Sequence, residues 1–292
     1  GIRDARSSLV GSEMCIRDSV NADQLRALCE DIAREAGSFA HRARRELGPG
    51  ARAAHATKSS AVDPVTEFDE ATEALVVERL RRERPDDSIV GEEGANHRGG
   101  SGYEWHVDPI DGTVNFVYDL PGWCTSIAVL RDGVPVAGAV YAPVVDELYS
   151  ASYNGGTTVN GVAVQVSGAT SLATALAATG FSYHLDDHRL RQAARIARVL
   201  PTVRDIRRQG SAALDLAYVA AGRVDLYFEE FINSWDVAAG VLLVTEAGGT
   251  VTSFDGSDVD VTAPSGIVAA TPGLHRMVVA GLDGAGHVHP DD

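Results

Sequence analysis

An amphipathic helix is predicted over residues 22–47, because apolar side chains recur there every three or four positions. The recurring residues are Leu25, Leu28, Ile32, Ala36 and Phe39. A Gly-Pro-Gly sequence at residues 48–50 ends this helix. The same spacing predicts a second helix over residues 67–84, which the following proline stops.

The pattern then changes to the two-residue alternation of β-strands. Residues 88–91 and 103–107 are predicted strands, and acidic residues follow both of them directly. Further strands are expected at 125–130, 134–141, 148–153, 159–166, 224–228 and 267–270, and further helices at 188–200, 212–221 and 237–247. This mixture predicts an α/β (α+β) fold in which helices are layered on sheets.

Composition and charge narrow the range of partners. The 292-residue chain has a formal net charge of -16, so it repels nucleic acid and anionic lipid at long range. No apolar run reaches about 18 residues, so no membrane span is predicted. The three cysteines, Cys15, Cys29 and Cys124, have neither metal-like nor disulfide-like spacing. We therefore expect no direct nucleic-acid partner, no membrane partner and a cytoplasmic location.

Lysine usage singles out one position. Lys58 is the only lysine in the chain, although lysine and arginine together number 25. A lysine that persists against such a bias indicates a site where arginine would not serve, because the two cations differ in shape and hydration. Chance retention of one lysine is the alternative.

The central chemical feature is the acidic turn at residues 108–113, Asp-Pro-Ile-Asp-Gly-Thr. It follows a predicted strand, and its proline and glycine favour a tight turn. Such a turn can direct Asp108, Asp111 and the N–H groups of Gly112 and Thr113 at one point. A helix that starts there would bind phosphate.

Other acids lie where they could join this turn. Glu92 and Glu93 end the preceding strand, and Asp236 begins a late helix. If these carboxylates converge, a divalent cation is needed to offset their repulsion. An all-oxygen ligand set favours Mg²⁺, Mn²⁺ or Ca²⁺, and Mg²⁺ suits phosphate chemistry best. Spacing alone leaves the alternatives open, which are ordinary turns, a solvated pair and a helix cap.

These motifs together resemble the inositol monophosphatase family. The matching segments are Gly91-Glu92-Glu93, Trp105 to Phe116, Trp235 to Gly240 and Glu246 to Gly249. The resemblance implies a layered α-β-α-β-α sandwich of the inositol monophosphatase / fructose-1,6-bisphosphatase type. It also implies a lithium-sensitive homodimer that uses two to three Mg²⁺, with Mn²⁺ as an alternative, to hydrolyse an inositol monophosphate.

The resemblance implies metal ligands and catalytic residues by position. The first metal would be held by Glu92, Asp108 and the Ile110 carbonyl, and the second by Asp108, Asp111 and Asp236. Glu92 and waters would hold a third. The implied catalytic residues are Glu92, Thr113, Asp69 and Lys58. The implied substrate-binding residues are Asp111, Gly112, Thr113, Gly210, Ser211, Ala212, Glu229 and Asp236.

The same reasoning divides the chain. Residues 1–19 are expected to be non-native or disordered, because they show no regular pattern and part of them resembles adapter sequence. Residues 20–155 are expected to form a metal- and phosphate-binding subdomain and residues 156–280 an α/β subdomain. Residues 281–292 are expected to be a disordered tail.

Two kinds of alternative function remain open. Relatives with the same metal motifs act on histidinol phosphate, fructose 1,6-bisphosphate or 3'-phosphoadenosine 5'-phosphate, and the metal motifs do not separate these substrates. Some bacterial relatives also serve as non-enzymatic, transcription-associated binding factors. The acidic charge argues against direct nucleic-acid binding and leaves a protein partner open.

Overall fold

The computed structural model describes residues 4–54, 56–57, 64–182 and 187–283. Side chains are described for all of these except residues 4–21, 64–65 and 283. The helices are α1 Asp4–Glu46, α2 Glu67–Glu83, α3 Thr113–Val117, α4 Asp187–Val199, α5 Ala212–Ala220, α6 Ser234–Glu246 and α7 Pro272–Asp283.

Two large sheets contain most of the strands. The eight-stranded sheet has the order β10-β9-β8-β7-β6-β5-β3-β4, and the five-stranded sheet has the order β12-β11-β13-β15-β14. The strands are β1 Ala56–Thr57, β2 Pro64–Val65, β3 Ser88–Gly91, β4 Asn96–His97, β5 Tyr103–Asp111, β6 Cys124–Arg131, β7 Val134–Ala142, β8 Glu147–Ser152, β9 Gly156–Val159, β10 Val162–Val164, β11 Leu176–Thr179, β12 Asp205–Arg207, β13 Leu226–Glu230, β14 Thr250–Thr252 and β15 Gly266–Ala270.

The large sheet is buried on both faces, and the alternation along β6 shows how. Ile127 and Val129 pack in the cluster formed with α1 and α2. Their neighbours Ala128 and Leu130 point the other way, into the cluster formed with α5 and α6. Because side chains alternate between the two faces of a strand, β6 separates two helix layers.

The five-stranded sheet completes the stack. Residues of β13 and β15 contact α5 and α6 on one face. On the other face, Val199 of α4 and Leu274 of α7 pack against the same sheet. The order of layers is therefore α1/α2, large sheet, α5/α6, small sheet, α4/α7. This confirms the predicted α-β-α-β-α sandwich.

Several predicted boundaries need correction. The first helix begins at Asp4 rather than at residue 22, and the segment predicted as one strand over 159–166 belongs to the hairpin of β9 and β10. The large sheet extends to Val164 of β10. The chain therefore leaves the large sheet after residue 155, where the boundary between the two subdomains was predicted. The division into subdomains stays a prediction. No helix within the described residues is long and apolar enough to cross a bilayer.

Some elements were not predicted. They are β1, β2, β4, β11, β12, β14 and α7. Six of these are strands of two to four residues, which are too short for an alternation to be recognised. Helix α7 runs through the start of the segment expected to be a tail, and the residues after Asp283 lie outside the described part of the chain.

The contact between α5 and α6 depends on a glycine. A Cβ built on Gly240 would lie 2.5 Å from the Cβ of Leu216, so the Gly240→Ala variant is overpacked. We expect it to lower the free energy of unfolding by about 1–3 kcal/mol. Gly281→Ala in α7, where a Cβ would meet open space, should instead raise it by roughly 0.5–1 kcal/mol. Urea unfolding measures both, and equal effects would contradict the packing account.

Candidate active site

The acidic turn lies at the end of β5, which continues beyond its predicted end. Asp108 pairs with Ser126 and Asp111 pairs with Cys124, so the two residues between the acids lie opposite the single residue Thr125 in a β-bulge. The Ile110 N–H donates to Asp108 Oδ1 at 3.1 Å, which fixes that carboxylate. The Ile110 side chain is fully buried in an apolar cluster that also contains Phe116 and Trp123. The bulge is thereby anchored in the core.

Gly112 turns the chain from β5 into the short helix α3. Its φ of +97° is left-handed, and a Cβ there would lie 2.8 Å from the Gly122 carbonyl oxygen. Only glycine fits both the conformation and the close approach. The predicted tight turn is confirmed, and it brings Thr113 to the first position of α3.

Thr113 and Asp69 meet in the interior, as the resemblance implied. The Thr113 hydroxyl lies 3.2 Å from Asp69 Oδ1 and 3.1 Å from the Ile110 carbonyl oxygen, both of which accept hydrogen bonds. Asp69 has 0% exposure and also accepts the Thr66 N–H at 2.7 Å, in the capping box of α2. The carboxylate is therefore held by its own helix and orients the hydroxyl.

Parallel strand pairing brings Glu92 beside Asp108. Strand β3 runs parallel to β5 with Gly91 opposite Val107, so the next residue of each strand lies at the same sheet edge. The Glu92 N–H donates to the Val107 carbonyl at 3.1 Å. The parallel pairing of β3 with β5 therefore brings Glu92 and Asp108 together, which their spacing in the sequence could not establish.

A buried glutamate on α2 fixes the turn that contains Glu92. Glu73 accepts the N–H groups of Glu93 and Ala95, both at 2.8 Å. A Cβ on Gly91 would overlap the Glu73 carboxylate, which explains the glycine at that position. Glu73 could not be identified as a buried residue from the sequence, because an acid on a polar helix resembles a surface residue.

Asp111 and Asp236 are each held at a helix N-terminus. Asp111 Oδ2 accepts the Ser211 hydroxyl and the Ala213 N–H, both at 2.7 Å, at the start of α5. Asp236 Oδ2 accepts the Asn233 N–H at 2.6 Å in the capping box of α6. Helix N-termini favour negative charge, so both positions stabilise carboxylates. Helix α6 begins at Ser234, before the predicted start at 237.

The four acids interact strongly. Burial raises the pKa of Asp108 well above its ordinary value, and the charges of Glu92, Asp111 and Asp236 and a hydrogen bond with Glu92 raise it further. Burial also raises the pKa of Asp111 to about 6, against the opposing hydrogen bond from Ser211. The pKa of Asp236 is raised by burial and then by the charge of Asp111. The structure therefore brings these predicted metal ligands together.

The donor set fits a hard divalent cation. The converging groups are carboxylate oxygens and the Ile110 carbonyl, which are ligands that Mg²⁺, Mn²⁺ and Ca²⁺ prefer. Within the described ranges, no group of three or more His, Cys, Asp or Glu side chains is arranged closely enough to hold a metal ion. A bound cation would relieve the mutual repulsion of these carboxylates.

A cleft extends from the acid cluster toward the small sheet. It shares Asp111 and Asp236 with the cluster. Its other lining residues are Gly180, Phe181, Ser182, Arg208, Gly210, Ser211, Ala212, Asp215, Glu229, Phe231, Ile232 and Asn233. The predicted substrate-binding residues Gly210, Ser211, Ala212 and Glu229 therefore lie together in this cleft.

Glu229 is a carboxyl group of the cleft, and its pKa is raised. Burial raises its pKa to about 7, while the hydrogen bond from Tyr227 and the charge of Arg208 oppose that rise. The Tyr227 hydroxyl donates to Glu229 Oε2 at 2.6 Å. A carboxylate held in this way can accept hydrogen bonds from substrate hydroxyls.

Several lining residues of the cleft were not predicted from the sequence, among them Asp215, Arg208 and Phe231. Asp215 is only 1% exposed, and its position in the apolar run of α5 could have indicated a functional acid. Arg208 adjoins another arginine, and Phe231 follows two acids, so neither was distinguishable. The predicted catalytic residue Lys58 lies outside the described residues.

Comparisons with known proteins agree with this geometry. Residues 21–286 match the model of the inositol monophosphatase family. The chain is 43% identical over 274 residues to the inositol-1-monophosphatase of Mycobacterium leprae, over 89% of this chain and 94% of that protein. It is 42% identical over 207 residues to the Nus factor SuhB of Xylella fastidiosa, over 70% of this chain and 74% of that protein.

A solved structure gives the same result. The IMPase of Thermotoga maritima matches with a TM-score of 0.81 at 33% identity, over 90% of this chain and 98% of that one. The resemblance inferred from the sequence motifs is confirmed.

The buried acids make a prediction for the metal-free protein. Folding raises the pKa values of Asp108, Asp111 and Asp236, so each acid's contribution to stability is present at low pH and is lost as pH rises through its folded pKa. For Asp111 this window runs from its ordinary pKa of 3.8 to about 6. Each pKa unit corresponds to about 1.4 kcal/mol.

We therefore expect Asp108→Asn to be more stable than the wild type in chelator, by an amount that grows from pH 4 toward pH 8. Urea unfolding at several pH values measures this difference. Asp132→Asn, in an exposed turn, is the control and should show no such trend. A difference for Asp108→Asn that is independent of pH would contradict the electrostatic account.

Proposed function

Because this chain belongs to the inositol monophosphatase family, we propose that it hydrolyses an inositol monophosphate to inositol and inorganic phosphate. The observation that carries the proposal is the convergence of Glu92, Asp108, Asp111 and Asp236 beside the Thr113–Asp69 pair. The name of the Mycobacterium leprae relative supports the same substrate. The chain is accordingly a phosphatase that acts on a small phosphorylated molecule.

The cofactor is proposed to be Mg²⁺, with two to three ions per site and Mn²⁺ as an alternative. Glu92, Asp108, Asp111, Asp236 and the Ile110 carbonyl would hold these ions. When bound, such ions neutralise phosphate charge and lower the pKa of a coordinated water. The -16 formal charge of the chain makes this neutralisation necessary for binding an anionic ester.

The Thr113–Asp69 pair is proposed to orient the attacking water. The Thr113 proton is directed to Asp69 or to the Ile110 carbonyl, both within 3.2 Å. The hydroxyl oxygen therefore accepts a hydrogen bond from the water instead of donating one. Glu92, at the adjoining sheet edge, accepts a second hydrogen bond from that water. Lys58 stays a predicted catalytic residue.

The two ends of the substrate are proposed to bind in different ways. The N–H groups of Gly112 and Thr113, at the left-handed turn into α3, would donate to phosphate oxygens. Glu229 and the segment Gly210 to Ala212 would bind the hydroxyls of the alcohol, together with Asp111 and Asp236. Transfer to water then needs positioning and charge stabilisation rather than a covalent enzyme intermediate.

The remaining properties implied by the family are also proposals. They are a homodimer, lithium sensitivity and a cytoplasmic location. Direct binding of nucleic acid is disfavoured by the acidic net charge. Histidinol phosphate, fructose 1,6-bisphosphate and 3'-phosphoadenosine 5'-phosphate stay as alternative substrates.

A binding role is the second candidate function, because several relatives, including that of Xylella fastidiosa, are named Nus factor SuhB. In this role the chain would contact a protein of the transcription machinery and its catalysis would be dispensable. Loss of phosphate release in Asp108→Asn with unchanged cellular function would favour this candidate.

The proposed function is tested by measuring phosphate release from inositol 1-phosphate and from the three alternative substrates named above. With Mg²⁺ we expect inositol 1-phosphate to be hydrolysed most efficiently, and with chelator no activity. Asp108→Asn should lower kcat/KM by about 10³-fold, since several kcal/mol of charge stabilisation depend on that carboxylate. Thr113→Ala should lower kcat by about 10²-fold.

Asp132→Asn is the control and should match the wild type. Undiminished hydrolysis in chelator, or full activity of Asp108→Asn, would contradict the proposal. Preference for another of these esters would support the phosphatase activity but contradict inositol monophosphate as the substrate.

A further inference from the structure

One cleft residue has an unusual backbone conformation. Among the described residues, six non-glycine residues have positive φ, and five of them are Asp or Asn, whose short polar side chains tolerate it. The sixth is Phe231, with φ of +61°. A bulky side chain in this region costs about 1–2 kcal/mol. Such strain concentrates at functional sites, where the surroundings hold it in place.

The position of Phe231 explains why the turn is needed. It joins β13, which contains Glu229, to α6, which contains Asp236. Its N–H donates to the Ser265 carbonyl at 3.1 Å, which fixes the turn. A left-handed turn here therefore serves the site, but a glycine would provide it without strain. The phenyl ring itself needs another explanation.

Helix α4 holds the ring in place. The His188 ring stacks on Phe231 with centroids 3.8 Å apart and planes 13° apart. The Arg191 guanidinium lies 5.1 Å from the centroid of the same ring. These residues are three apart and so share one face of α4. The ring is thus fixed by two contacts, although it lines the cleft.

The cleft therefore combines two kinds of surface. Phe231 and Phe181 contribute aromatic side chains to its lining, and Asp111, Asp215 and Glu229 contribute carboxyl groups. A cyclic polyol has the matching character, because its carbon-bound hydrogens form apolar faces and its hydroxyls project at the rim. An acyclic alcohol offers the hydroxyls without a continuous apolar face.

We propose that Phe231 is a specificity-determining residue that selects phosphate esters of cyclic polyols by packing against the ring's carbon-bound hydrogens. The proposal rests on the proposed phosphatase function and deepens it, since it assigns the substrate class to one wall of the cleft. The contact acts on binding of the alcohol and leaves the chemistry at phosphorus unchanged.

Two esters separate ring recognition from phosphate recognition. Inositol 1-phosphate and glycerol 2-phosphate are both monoesters of a secondary alcohol with flanking hydroxyls, and only the first is cyclic. Phe231→Gly removes the ring and relieves the backbone strain, so it should fold at least as stably as the wild type. Its kcat/KM for inositol 1-phosphate should fall about tenfold, mainly through KM, and that for glycerol 2-phosphate should change less than about twofold.

Further variants control the interpretation. Phe231→Tyr keeps the ring and should retain wild-type selectivity, whereas Phe231→Leu keeps bulk without a flat face and should lose several-fold. Asp132→Gly places glycine at another left-handed position, outside the cleft lining, and should leave kcat/KM unchanged for both substrates. Inhibition by free inositol should weaken in Phe231→Gly in parallel with KM. If thermal melting shows that Phe231→Gly is unfolded, Phe231→Leu decides the test.

The possible outcomes distinguish failure of the role of Phe231 from failure of the proposed phosphatase function. Equal losses on both esters, or no loss on either, would overturn the role of Phe231 while wild-type hydrolysis of inositol 1-phosphate sustains the proposed function. If wild-type protein with Mg²⁺ hydrolyses neither ester, the proposed function itself fails.

Discussion

Four acidic side chains converge at one edge of the large sheet, and their mutual repulsion is the constraint on which the site depends. Carboxylates removed from water are costly unless they gain partners. The fold supplies part of the compensation by placing Asp111 and Asp236 at the N-termini of α5 and α6, where backbone N–H groups and the helix dipoles favour negative charge. The remainder must come from bound protons or from cations. Carboxylates that repel one another in this way favour cation binding, because a cation neutralises their charge.

The layered architecture determines which groups meet there. The parallel pair β3 and β5 aligns Glu92 with Asp108, and the layer between the two sheets contributes Asp111's partners on α5 and Asp236 on α6. The small sheet contributes Glu229 through β13. In the proposed function, phosphate chemistry and alcohol recognition therefore occupy adjacent regions, which share Asp111 and Asp236. We expect substitutions of cleft residues other than these two to change which alcohol binds without disturbing the acid cluster.

Much of this arrangement could be predicted from the sequence, for reasons that differ between elements. The long helices and central strands have strong periodicities, and the acidic turn contains a proline and a glycine whose conformations are restricted. The convergence of Glu92 with Asp108 could not be deduced from spacing, because it depends on parallel pairing of β3 with β5. The family resemblance supplied that information. The short strands β11, β12 and β14 contain too few residues for an alternation to be recognised.

Other features depend on tertiary contacts alone. Glu73 resembles a surface acid until the turn at Glu93 is placed against it. Phe231 has no sequence pattern that reveals its left-handed backbone, and its stacking partner His188 is distant in the chain. Asp215 is the exception, since an acid within an apolar helix is visible in the sequence.

Calorimetric titration of Mg²⁺ into the metal-free protein tests the central claim most directly. Because folding raises the pKa values of the clustered acids, cation binding must displace protons from them. The account predicts saturable binding whose heat varies with the ionisation enthalpy of the buffer, with fewer protons released as the pH rises. Absence of saturable binding, or binding without any proton release between pH 5 and pH 8, would contradict it.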